Sequence, residues 1–225
     1  MRKRASIAGA VCLACLVLLW PTALRAKDTK IVLLAGKKSH APGEHEYEKG
    51  LDLLRHCLDT SLNARRLIVE LHTGGWPQDE KTLDEADTIV LFSDGGSRGN
   101  EHPLVAGNHI PSLARQMQRG RGLVVIHWSL NLPSKLGNET FLRWIGGFKD
   151  YENPPRPIGE PLRVRDWSKQ ASHPICRGLK PFAMPEDEYK TPERLQSDQP
   201  GFVPILPFPG KPGDPLWAWA WQRED

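Results

Sequence analysis

Four apolar runs, "KIVLLAG", "ARRLIVEL", "TIVLF" and "GLVVIHW", constrain this chain more than any other feature. Each is short and largely unbroken by polar residues, as a strand buried on both faces must be. Helical patterns separate them. "GEHEYEKGLDLLRHCLD" spaces Tyr47, Leu51, Leu54 and Leu58 three and four apart, "DEKTLDEAD" is a short acidic helix, and "IPSLARQMQRG" ends on a glycine stop. Strand and helix alternating at this rhythm mean βαβ units. The expected class is α/β, with a three-layer, doubly wound, mostly parallel sheet. The 225 residues suffice for one such domain.

The two ends of the chain are expected to differ from this pattern. "MRKR", the apolar "ASIAGAVCLACLVLLW" and the small residues of "ALRA" read as a signal peptide over residues 1–26, cut after Ala26. The alternative is a retained anchor, for which the apolar core is short. The expected location is therefore periplasmic or secreted, with no membrane contact after cleavage. The leader carries Arg2, Lys3, Arg4 and Arg25 and no acid, so 30 − 4 = 26 basic residues face 27 acidic ones in residues 27–225, a net charge of −1. That balance gives no electrostatic case for a nucleic-acid partner. Cys57 and Cys176 remain after cleavage. Cys57 reads as a small core hydrophobe in a helix, and an oxidising compartment would allow a Cys57–Cys176 disulfide. Beyond Asn153 the texture becomes proline-rich, with short strands expected at "PLRVRDW", "FVPIL" and "LWAWAW". A domain rarely stops directly after a strand like the last, so residues 27–225 read as one domain truncated at its C-terminus.

Ligands of an open parallel sheet bind beyond the carboxyl ends of its strands. Three such ends are polar and carry histidine: "GKKSHAPGEHEY", "SDGGSRGNEHP" and "HWSLNLP". His127 terminates its strand where α/β hydrolases and class I glutamine amidotransferases place a serine or cysteine nucleophile. Neither cysteine falls at a strand end, so thiolate glutaminase chemistry lacks its nucleophile. His127 is either a site group or an imidazole bonded to a neighbouring loop. Asp94, Gly95 and Gly96 permit a close backbone approach to a ligand, or form a plain turn. His102 points either into the cleft or to solvent, and Trp128 is a candidate stacking surface. "HEYEK" is not the H-E-x-x-H zinc motif, because Lys49 replaces the second histidine. His40 and His45 could still join His127 around a divalent metal, with Asp94 as an oxygen ligand; the alternative is a metal-free acid–base set. Glu44 and Glu48 suit a helix start. Asp187, Glu188 and Tyr189 in "MPEDEYK" are either a second acid–base group or a solvated charge cluster.

Taken in order, these pieces resemble the ThuA-like (trehalose-utilisation) family. "LLAGKKSHAPGEHEYEKGLDLL", "GGWPQDEKTLDEADTIVLFSDGG", "RGRGLVVIHWSLNLP", "LRWIGGFKD", "SHPICRGLKPFAMPEDEYK" and "LWAWAW" carry the resemblance. It spans essentially all of residues 27–225, except that the family's final glycine-rich, histidine-bearing segment is missing. The resemblance implies a flavodoxin-like, class I glutamine amidotransferase-like fold. It also implies a role in carbohydrate catabolism, on keto-sugars or glycosides, with a small carbohydrate as partner. Carried over residue by residue, the site is His40, His45, Glu46, Asp94, His102, His127 and Glu188. His127, Glu46, Asp94 and Glu188 then become the catalytic candidates, and His102, Gly95, Gly96 and Trp128 the substrate-binding ones. A non-catalytic sugar-binding or scaffold domain is the alternative function.

Overall fold

The computed structural model describes residues 27–64, 66–95, 102–152, 172–180, 194–207 and 216–223. The expected leader, Gly96, "PLRVRDW" and the cluster Asp187–Tyr189 lie outside them. No helix among the described residues is long and apolar enough to cross a membrane.

The chain runs through β1 (Thr29–Ala35), α1 (Tyr47–Asp59), β2 (Leu67–His72), α2 (Lys81–Glu85), β3 (Thr88–Phe92), α3 (Pro103–Ala106), α4 (Ile110–Gln118) and β4 (Gly122–Ile126). The four strands form one parallel sheet in the order β2-β1-β3-β4. The chain thus starts in the sheet, steps outward to β2, then crosses back past β1 to β3. Right-handed crossovers in opposite directions must cover opposite faces, and the side chains divide accordingly. Leu33, Ala35 and Val90 pack against Tyr47 and Leu51 of α1 on one face. Val32, Leu34, Ile89 and Leu91 pack against Leu83, Leu104, Leu113 and Met117 of α2, α3 and α4 on the other. The result is the three-layer doubly wound sheet expected from the sequence. Gly120, at φ +71°, supplies the stop after α4.

After β4 a 3-10 turn (His127–Leu130) leads into β5 (Asn131–Leu132), α5 (Ser134–Glu139), α6 (Phe141–Ile145) and β6 (Gly147–Asp150). With β7 (Arg194–Leu195), β5 and β6 make a small mixed sheet. Strands β8 (Phe202–Pro207) and β9 (Leu216–Trp221) pair as an antiparallel hairpin. Trp221 donates its indole N–H to the Arg143 carbonyl at 3.0 Å, so this tryptophan of "LWAWAW" anchors the hairpin to α6.

One expectation fails here. Cys57 is exposed on α1 and is not a core residue, and both thiols are free. Helical phase decides the first point: the buried stripe of α1 holds Tyr47 and Leu51, and Cys57 lies off it.

Candidate functional site

Strand register brings the three polar strand ends to one level. Ala35 pairs with Phe92, and Phe92 pairs with Ile126. The residues that follow, Gly36, Ser93 and His127, therefore leave the sheet together, at the crevice where the strand order reverses between β1 and β3. Ser129 ties two of these ends. Its hydroxyl accepts from the Ser93 amide at 2.6 Å and donates to the Ser93 carbonyl at 3.1 Å, with both residues buried.

On this base His40, His45, Asp94, His127 and Trp128 come together. The rings of His40 and His45 stand edge to face with centroids 4.0 Å apart, and His45 lies 5.0 Å from His127. Trp128 is 5.9 Å from His40 and 5.3 Å from His45. Asp94 places a carboxylate oxygen 3.6 Å from His40 Nδ1. The Ser39 hydroxyl lies 2.8 Å from that same nitrogen and 3.2 Å from the Tyr47 hydroxyl. Serine and aspartate thus share one nitrogen and do not flank the ring, which is not the relay of a serine hydrolase.

Two of the histidines are held in unusual backbone geometry. His127 has φ +59° and His45 has φ +45°. Left-handed backbone is unfavourable for a side chain with a Cβ and persists where the surroundings enforce it. For His127 the sharp turn after β4 does so, as it does for the nucleophile that other folds put there. Burial pushes the His127 pKa down to about 4, helped by the charges of His45, Lys149 and His40 and opposed by Asp94. At neutral pH it is a neutral imidazole, with one ring nitrogen to donate and the other to accept a hydrogen bond.

A cleft of ≈ 730 Å³ opens beside the cluster. Ser39, Ser93 and Asp94 belong to its wall, and Trp76 and His109 line its far side. Those two rings stack at 4.6 Å, and Glu80 holds both, accepting from the Trp76 indole at 2.7 Å and lying 3.1 Å from His109 Nδ1.

Other candidates are used differently. The rings of His40, His45 and His127, expected as metal ligands, lie side by side, edge to face and tilted. Among the described residues no group of three His, Cys, Asp or Glu side chains could hold a metal ion. Glu46 turns its carboxylate to the Gly43 amide at 2.8 Å and to Lys49 at 3.6 Å. The Gly43 bond foremost holds its pKa below the usual carboxylate range, so Glu46 clamps the turn that carries His45. Gly95 packs closely on the turn after β4: a Cβ there would collide with Asn131 Cβ and lie 2.7 Å from the Trp128 carbonyl oxygen.

His102 points neither into the cleft nor to solvent. It is fully buried; its Nδ1 accepts from the Leu104 amide at 3.1 Å and its Nε2 donates to the Ser129 carbonyl at 2.9 Å. It caps α3 and bonds the turn after β4 that carries His127 and Ser129. Burial lowers its pKa from 6.5 to about 4, against the Ser129 bond and Asp94. Because the unfolded chain takes up this proton more readily, the stability it contributes is full above about pH 6.5 and is lost as pH falls towards 4. Thermal melts across that window are expected to show Tm falling with acid. His102→Gln is expected to melt lower above neutral pH but to lose less on acidification; equal slopes would assign the acid sensitivity elsewhere.

Sequence reasoning missed Ser39, Tyr47, Ser93, Ser129 and Lys149. Ser39 stands in the histidine-rich loop and was legible as polar; the others are defined only by contacts between elements distant in the chain.

No family model matches the chain, and no curated protein matches it. Among solved structures, a ThuA-like protein from Bacteroides uniformis ATCC 8492 matches over 89% of this chain and 81% of its own, with a TM-score of 0.59 and 12% identity. At that identity the likeness is one of architecture: this chain has the fold of a ThuA-like protein.

Proposed function

We propose that the protein is a secreted or periplasmic enzyme of carbohydrate catabolism that moves protons beside the carbonyl of a keto-sugar or its glycoside. The observation that carries this reading is the meeting of a neutral, strained His127 with the His40–Asp94 pair beside a cleft of ≈ 730 Å³. Isomerisation needs one group to take a proton from the carbon next to the carbonyl and another to deliver one to oxygen. His127 is the group at the strained strand end, and His40 with Asp94 is the opposing one. A carbonyl substrate keeps its atoms and electrons through such a step, so no co-reactant is needed. Burial in the crevice excludes water and strengthens each polar contact with the sugar. The charge balance after the leader gives no attraction to nucleic acid.

The test is a screen of keto-sugars and their glycosides against the full-length chain, with and without chelator. Turnover that survives chelation supports metal-free proton transfer. Turnover abolished by chelator and restored by a divalent cation would replace the metal-free scheme with a metal-assisted one. Turnover of none would favour the second reading, a sugar-binding domain, for which the Glu80-braced Trp76–His109 stack on the cleft wall speaks. Glutamine hydrolysis in the same assays would overturn both.

A further inference from the structure

Lys149 lies on β6, next to Asp150 and Phe148. Those two neighbours are fully buried, Phe148 in the apolar core and Asp150 against the Ser134 hydroxyl at 2.7 Å. Side chains alternate along a strand, so Lys149 points to the opposite face. There its ammonium sits 5.3 Å from the centre of the Trp128 ring. The same indole lies 5.3 Å from His45 and 5.9 Å from His40, which makes it a wall shared by the lysine and the histidines. Lys149 is also fixed in place from both sides. It pairs in register with Asn131 of β5, while the residue before it pairs with Arg194 of β7. A charge carried on a strand between two others is held more rigidly than one on a loop.

We propose that Lys149 is a cation of this site, beside the lysines Lys37 and Lys38 of the cleft wall, placed to stabilise the oxygen that becomes negative when a keto-sugar is deprotonated. The inference rests on the proton-transfer reading above and adds a group that reading does not use. In the step concerned, a base takes the proton from the carbon beside the carbonyl. The C–H electron pair forms the new C=C bond, and the carbonyl π pair moves onto oxygen. The ammonium offsets that charge until the oxygen takes a proton; the hydroxyl on the adjacent carbon then gives up its proton and becomes the new carbonyl, while the C=C pair takes a proton at the former carbonyl carbon, so protons and electrons balance with no co-reactant. The charge of Lys149 also reaches His127, where it helps to keep the imidazole neutral. A preorganised cation of this kind acts where charge develops and so changes kcat more than KM. It also gives the site a preference for anionic sugar derivatives over neutral ones.

The experiment uses the full chain and the variants Lys149→Met, Lys149→Gln and Lys149→Arg. Calorimetry compares gluconate with sorbitol, a neutral polyol of the same length, in the presence of chelator. Wild type is expected to bind gluconate at least about tenfold more tightly, a preference lost in Lys149→Met and Lys149→Gln and partly kept in Lys149→Arg. With the keto-sugar found by the screen, Lys149→Met is expected to lose about 10²-fold in kcat with little change in KM. A lysine that merely clamped Trp128 would lower Tm when replaced and leave both the gluconate preference and kcat in place, which overturns the proposal. Wild type that binds gluconate no better than sorbitol overturns it too. If no keto-sugar is turned over, the enzymatic reading falls while the gluconate comparison still decides whether Lys149 is an anion site.

Discussion

Replacing His127 with asparagine is expected to cut keto-sugar turnover by about 10²–10⁴-fold, the range that a positioned proton-transfer group supplies. Asparagine is chosen because it tolerates the left-handed backbone that His127 adopts at φ +59°. The turn after β4 therefore survives, and the Ser129 contacts to Ser93 with it. Tm and circular dichroism should stay close to wild type while kcat collapses. Burial holds His127 neutral down to about pH 4, so wild-type kcat should not fall through loss of neutral imidazole as pH drops from 7 to 5. Its loss should be half complete at about pH 4. Unchanged turnover in His127→Asn would remove this residue from the chemistry.

The second large effect is expected from Gly95→Ala, a change of one methyl group. The added Cβ would meet Asn131 Cβ, the Trp128 carbonyl oxygen at 2.7 Å and the Asn131 carbonyl oxygen at 2.9 Å. Two of these are backbone atoms, which cannot swing aside as a flexible side chain can. Overpacking of this kind costs about 1–3 kcal/mol, felt as a Tm lowered by about 3–10 °C in a domain of this size. The strain falls on the turn that carries His127 and Trp128, so turnover should fall as well. Gly50→Ala is the comparison: its Cβ meets only the Phe92 ring, at 2.9 Å, on a side chain that can shift. A Gly95→Ala variant as stable as Gly50→Ala would show that the loops after β3 and β4 do not lock together.

Those two substitutions mark different depths of legibility. His127 could be singled out from the chain alone, because "GLVVI" is a buried strand and a polar residue that ends it stands at a ligand crevice. Gly95 could be noticed, but its packing against Asn131 and Trp128 could not be read from the chain. A glycine signals close approach without saying what approaches. His102 failed for the same reason. Histidine before proline reads as a polar loop residue, and only the loop packed over it turns it into a buried cap with both nitrogens spent. Glu46 is a third case: three residues from Gly43, its carboxylate closes its own turn.

The order of strands and helices, the parallel sheet and the crevice at its carboxyl edge were determined by the sequence itself. Periodicity and burial are local, and a run such as "KIVLLAG" has few ways to satisfy both. Tertiary structure decided which polar residues at that edge face one another. The register that aligns Ala35, Phe92 and Ile126 brought His40, His45, Asp94 and His127 side by side, and the packing of the loop after β4 enclosed His102. It also brought in Lys149 from β6, through a contact between strands that no local pattern encodes.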